Sequence, residues 1–257
     1  STSTTSSTSG DGDGDVEPCF EQNPNIEFVP PNLVFVLDKS GSMFGSSIDF
    51  GGGNVKTFWQ ILHETLMEVV TARQDVIKFG GNWFPTVHEP AGVTVFLPDS
   101  CVVDPSSMQV PPDLQTADDF EAILPAATAT GSSNMVTPAQ SGYDEATNWI
   151  NANIPSETTA MVLFMDGVIS DGRLQDNGMG GTQPGPDCNM SNPYMENTVP
   201  TLTANIAANA AAGIPTYVVG FFLTDPTVVD EMNGYAAAGG VEAPGGGFYS
   251  ATSPAAL

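Results

Sequence analysis

The sequence predicts a three-layer, doubly wound α/β domain with a mostly parallel central sheet and one antiparallel edge strand. Uninterrupted apolar runs, such as LVFVL at residues 33–37, suit strands buried on both faces of a parallel sheet. Segments with helical apolar spacing alternate with these runs from residue 32 to 257, and no repeat, linker or second core interrupts them. Residues 32–257 therefore read as one domain preceded by a tail or linker, residues 1–31.

Taken in order, residues 1–15, STSTTSSTSGDGDGD, contain no apolar side chain and cannot offset the entropy of ordering by burial. Their composition is that of a solvated stalk, although a Ser/Thr run is also compatible with a strand added to another subunit. Asp11, Asp13 and Asp15 resemble the start of a calcium loop. Val16 and Gln22 stand where such a loop needs Gly and Glu, which favours the acidic linker.

After the strand at 33–37, Val55, Phe58, Trp59, Leu62, Leu66, Val69 and Val70 recur at helical spacing. Residues 76–84 and 93–97 read as two strands joined by a short Pro-bearing link, hence an antiparallel pair. A Pro-rich acidic stretch, 99–124, follows, with a short helix at 116–124. A second amphipathic helix covers 138–151, with Thr137 as its N-cap and Pro138 at its first position. Residues 160–165 form a buried strand. Residues 167–199 form a long Gly/Pro-rich loop of the kind that carries function in compact domains. Helix 201–212, strand 214–222, helix 226–238 and strand 248–250 complete the pattern, and residues 254–257 look like the first turn of a closing helix.

Five Lys and Arg face thirty Asp and Glu, a net charge of −25. Phosphate backbones and anionic membrane surfaces are bound through basic side chains, so both partner classes are excluded. Only 14% of residues are charged, against about 25% in an average domain. The deficit lies in Lys and Arg, and the Ser, Thr, Asn and Gly that replace them point to an extracellular surface. No apolar run is long enough to span a bilayer. The chain begins with Ser1, so a removed leader, or a fragment of a longer chain, is expected, and an upstream lipid anchor would not be visible in this sequence. Cys19, Cys101 and Cys188 are too few and too far apart for zinc. The pairing is not fixed by sequence; loop positions favour Cys101 with Cys188, leaving Cys19 free or paired to another chain.

In open α/β sheets, ligands collect beyond the carboxyl ends of the strands where strand order reverses. Asp38 follows the first strand and opens Asp38-Lys39-Ser40-Gly41-Ser42, a D-x-S-x-S loop; Asp166 follows the 160–165 strand in an Asp-Gly pair. These are hard oxygen donors, suited to Mg²⁺, Mn²⁺ or Ca²⁺ rather than to zinc. Alternatively, Asp38 and Ser42 serve as a turn and helix cap of a metal-free domain.

The segment LVFVLDKSGSM resembles the first strand and metal loop of von Willebrand factor A (VWA) domains, whose metal-ion-dependent adhesion site uses D-x-S-x-S. Thr137, just before a helix, and Asp166 look like that family's second-loop Thr and third-loop Asp. The resemblance covers residues 32–257 and implies a VWA/Rossmann-like fold of bacterial surface type. It implies metal ligation by Asp38, Ser40, Ser42, Thr137 and Asp166, a divalent cation with Mg²⁺ first and Mn²⁺ or Ca²⁺ as the others, and an open position that captures an Asp or Glu of a partner protein.

The expected function is thus a secreted or surface-displayed adhesion module. The alternative is a structural subunit of an extracellular filament whose N-terminal tail mediates self-assembly. An enzyme is not expected. Phosphoryl-transfer loops of D-x-D type need a second carboxylate as acid/base, and Ser40 cannot serve. Gly51-Gly52-Gly53 lacks the Lys-Ser/Thr of a phosphate loop, His63 and His88 have no partner in spacing, and Asp171, Asp176 and Asp187 read as solvated loop acids. Asn189-Met190-Ser191 matches a glycosylation acceptor, meaningful only in a secretory eukaryotic setting.

Overall fold

The computed structural model describes residues 28–89, 91–92, 101–104, 108–170, 174–176, 182–184, 188, 197–221 and 223–251. Six strands form the central sheet: β1 (Asn32–Asp38), β4 (Lys78–Phe84), β5 (Val110–Asp113), β6 (Thr159–Met165), β9 (Thr216–Phe221) and β10 (Tyr249–Ala251). Their spatial order is β10-β9-β6-β1-β4-β5, with every neighbouring pair parallel except β4–β5. The expected mostly parallel sheet with an antiparallel edge is therefore present. Strand order reverses between β1 and β6, which pair from Asn32↔Thr159 to Leu37↔Phe164.

Alternation along β1 builds two cores. Val34 and Val36 face one layer with Tyr143, Ile150, Ile206 and Tyr235, drawn from helices α4 (Ala139–Asn153), α5 (Val199–Ala211) and α6 (Pro226–Gly239). Phe35 and Leu37 face the other with Trp59, Leu62, Leu66 and Phe120, from α2 (Phe58–Arg73) and α3 (Ala117–Ile123). Helix α2 starts where Thr57 accepts from the Gln60 N–H at 3.1 Å, and α5 where Thr198 accepts from Thr201 at 3.2 Å.

Several sequence expectations change. Val55 is not on the α2 stripe; it begins β3 (Val55–Thr57), which pairs antiparallel with β2 (Ser47–Asp49), and its side chain is 56% exposed. Val69, expected in the stripe, is 41% exposed. Gly51, Gly52 and Gly53 all adopt positive φ and make the β2–β3 connection, a conformation side chains resist. The antiparallel partner of β4 is β5, inside the stretch read as irregular; residues 93–97 lie outside the described residues. Pro111 and Pro112 hid this strand, yet an edge tolerates the missing N–H groups. The long 167–199 loop contains a small antiparallel pair, β7 (Leu174–Asp176) and β8 (Thr182–Pro184). Cys101 and Cys188 form a disulfide, with Cα atoms 5.4 Å apart. The tail with its Gly-Asp repeats, Cys19, Asp171, Asp187, Asn189-Met190-Ser191 and residues 254–257 lie outside the described residues.

Helix α4 approaches β4 at Gly142, whose C=O accepts from the buried Asn82 Nδ2 at 2.7 Å. A Cβ there would stand 2.5 Å from Phe84 Cδ1. Overpacking costs about 1–3 kcal/mol, which exceeds the roughly 1 kcal/mol that Ala gains over Gly in a helix. Gly142→Ala is therefore expected to lower the urea midpoint of unfolding; an unchanged or higher midpoint would show that Phe84 yields freely.

Candidate metal centre

The site is assembled at the reversal point. Asp38 ends β1 and is fully buried; Asp166 follows β6 and is half-buried. Between them runs the short helix α1 (Gly41–Gly45), with Ser40 at its N-cap and Ser42 inside it. The Ser40 N–H donates to Asp38 Oδ1 at 2.7 Å, closing the loop into a tight turn. Ser40 Oγ and Ser42 Oγ are 3.0 Å apart, and Ser42 Oγ donates to Asp166 Oδ1 at 2.9 Å. Asp38, Ser40, Ser42 and Asp166 are thus linked in one hydrogen-bonded chain, through the Ser40 amide and the two serine hydroxyls, between two β-strand ends.

Thr137 is carried by the segment between these loops. The Gly41 N–H donates to the Met135 C=O at 2.8 Å, which ties that segment to α1. The Thr137 N–H donates to Ser170 Oγ and the Ser170 N–H to the Thr137 C=O, both at 2.9 Å, which ties it to the loop after β6. Thr137 is not the N-cap of α4: Pro138 occupies that position and makes no side-chain cap bond. The early N–H groups of α4 are met from afar, since Asn197 Oδ1 accepts from Ser141 at 3.2 Å. Neither Ser170 nor Asn197 was marked in the sequence, because contacts 33 and 56 residues apart leave no local pattern.

Electrostatics at the site are unfavourable for two bare carboxylates. Burial, then the charge of Asp166, pushes the Asp38 carboxyl well above the usual carboxylate range. Burial pushes Asp166 up to about 6, against the lowering effect of the Ser42 hydrogen bond. Asp38 Oδ2 is buried with no partner in hydrogen-bond geometry among the described residues, while the Asp166 backbone and Ser40 near the carboxyl act to lower it. An acceptor left in this state fits a cation. Among the described residues, no three His, Cys, Asp or Glu side chains converge into a metal cage. The donor set here is two carboxylates and neighbouring hydroxyls, so a bound divalent cation would keep net positive character. His63 and His88 pack edge-on against Trp59 and Phe44, respectively.

Beneath the loop, Lys39 is fully buried, with Nζ donating to the Thr86 C=O at 3.0 Å. Burial lowers it from 10.5 to about 7.

The fold is similar to that of the pilus adhesin SpaC from Lactobacillus rhamnosus GG, with TM-score 0.54 and 18% identity over 88% of this chain and 29% of that one. The PilB minor pilin from Streptococcus sanguinis gives TM-score 0.46 and 16% identity, over 91% of this chain and 60% of that one. Manganese-loaded Plasmodium vivax TRAP protein gives 0.37 and 14%, over 74% and 57%. At such identities the likeness to SpaC is one of fold, and this chain spans less than a third of the SpaC chain. No protein-family profile and no curated protein matches the sequence.

Between pH 7 and 10.5 the unfolded chain keeps a proton on Lys39 that the folded chain has lost, so this group makes stability rise with pH across that window. Below pH 7 the penalty for burying the charge is fully present. In chelator, Lys39→Met is expected to raise the melting temperature by about 2–5 °C at pH 6, and the gain should shrink towards pH 10. A gain independent of pH would show that packing, not charge burial, is responsible. Asp38→Asn removes the like-charge contact and should likewise raise the melting temperature of metal-free protein at pH 7; a fall would mean that Asp38 is already compensated.

Proposed function

We propose that this protein is an extracellular, metal-dependent binding module that captures an acidic side chain of a partner protein through a divalent cation. The observation that carries this reading is the buried Asp38 Oδ2, without a hydrogen-bond partner among the described residues, at the end of the hydrogen-bonded chain linking Ser40, Ser42 and Asp166. The residues assigned to the cation are Asp38, Ser40, Ser42, Thr137 and Asp166, with Mg²⁺ as the first ion and Mn²⁺ or Ca²⁺ as the others. When bound, the ion supplies a Lewis-acidic attachment point. The chain's own contribution is to hold hydroxyls rather than further carboxylates around it, so that its charge is not cancelled. VWA-type adhesion sites match this pattern, and the fold shared with a pilus adhesin supports a place at a cell surface. Among the described residues no helix is long and apolar enough to cross a membrane. The reading is of a binder rather than a hydrolase, because Ser40 stands where a second acid/base carboxylate would be needed.

A second reading, self-assembly through the N-terminal tail, is favoured by the sheet ending on β10, a three-residue strand paired only with β9 among the described residues. Removing residues 1–27 should then abolish filaments seen by electron microscopy; filaments that persist would refute it.

The principal test is thermal unfolding and calorimetric titration of chelator-treated protein with Mg²⁺, Mn²⁺ and Ca²⁺. One cation per chain at a hundredfold excess over Kd contributes about 2.7 kcal/mol, which is about 5–10 °C for a domain of this size. Asp38→Ala should lose the response, and Thr137→Ala should weaken it. A free carboxylate such as a Glu-containing peptide should bind the loaded protein alone. No cation response in the unsubstituted protein would overturn the proposal.

A further inference from the structure

We propose that the Cys101–Cys188 disulfide is a positioning element for the candidate metal centre: by packing on Val136 it holds Thr137 in register with the Asp38 and Asp166 loops. Thr137 lies in a segment without regular structure, between α3 and α4, so no β-ladder or helical ladder fixes its place. What does fix it is side-chain packing and a few backbone bonds. Cys101, Cys188 and Val136, at 1%, 0% and 6% exposure, form a small apolar cluster separate from the two cores that flank the sheet. Val136 immediately precedes Thr137, while Met135 on its other side packs into the α2-side core. The residue next to Thr137 is thus gripped on the side away from that core by the disulfide.

The same bridge reaches the Asp38 loop. The Thr86 N–H donates to the Val102 C=O at 2.8 Å, and the Asp104 N–H donates to Thr86 Oγ1 at 2.9 Å, so the segment that follows Cys101 is laced to Thr86. Thr86 C=O in turn accepts from Lys39 Nζ, and the Lys39 N–H donates to the Phe84 C=O at 2.7 Å. Lys39 lies between Asp38 and Ser40. The disulfide closes a span of 87 residues that contains Thr137 and Asp166 but not Asp38. It therefore joins, at one buried point, segments whose relative position the sheet alone leaves to long loops. Neither sulfur is a metal donor in this arrangement; the bridge acts through Val136.

The functional consequence rests on the metal reading above, and the test separates the two. In chelator-treated protein, amide hydrogen exchange at Thr137 and Ser170 is compared with that at Val36 and Leu163 in the sheet. In Cys101→Ser/Cys188→Ser the Thr137 amide should exchange at least tenfold faster, with Val36 and Leu163 unchanged. Val136→Ala, which keeps the bridge, should shift Thr137 in the same direction and decides alone if the double variant does not fold. Unchanged exchange at Thr137, or an equal rise at all four amides, would overturn the proposal. In a second arm, the Mg²⁺ Kd of the folded variants should rise about tenfold relative to unsubstituted protein; an unchanged Kd would overturn the link to the site. If the unsubstituted protein binds no cation, the metal reading fails while the exchange arm still judges the positioning role.

Discussion

Asp38 and Asp166 stand at the carboxyl ends of neighbouring parallel strands, where the sheet's strand order reverses. Burial, and then the charge of Asp166, raises the cost of ionising Asp38, while burial alone raises that of Asp166. Hydroxyl donors from Ser42 and the Ser40 N–H moderate this without cancelling it. The surrounding structure maintains the confrontation. Parallel pairing of β1 with β6 brings the strand ends together, α1 starts between them, and the pair of Thr137–Ser170 hydrogen bonds closes the third side.

The scarcity of cations gives this arrangement its consequence. Of the described basic side chains, Lys56 pairs with Glu64 and Lys78 with Glu157, while Arg73 ends α2. Lys39 alone sits beneath the loop, buried and with its ammonium disfavoured. Among the described residues no Lys or Arg forms an ion pair with Asp38 or Asp166, which is the setting the proposed cation would relieve, and a donor set rich in hydroxyls would leave such a cation net positive charge. The charge of −25 and the acid pair belong to the same compositional choice.

Legibility in the sequence followed how local each constraint is. The β1 and β6 strands were readable because burial on both faces requires continuous apolar runs, and α2 and α4 because one apolar face imposes helical spacing. The helix starts were less readable. Val55 matched the helical period yet pairs as a strand, because the cap at Thr57 and pairing with β2 override spacing. Strand β5 was obscured by Pro111 and Pro112, whose cost vanishes at an edge. Of the candidate site, the D-x-S-x-S loop and Asp166 were visible as motifs, whereas Ser170, Asn197 and the bridge over Val136 are partners only in space.

By itself the sequence determined the layered α/β class, the residue types able to meet at the strand ends, and the strongly acidic balance of the chain. Those follow from periodicity, composition and charge, which are additive along the chain. Tertiary structure decided that Asp38 Oδ2 is buried without a hydrogen bond, that Thr137 is held by Ser170 rather than capping α4, and that Cys101 meets Cys188. Each depends on the close packing of segments tens of residues apart, where a shift of about 1 Å makes or breaks a hydrogen bond, and sequence spacing does not encode such distances.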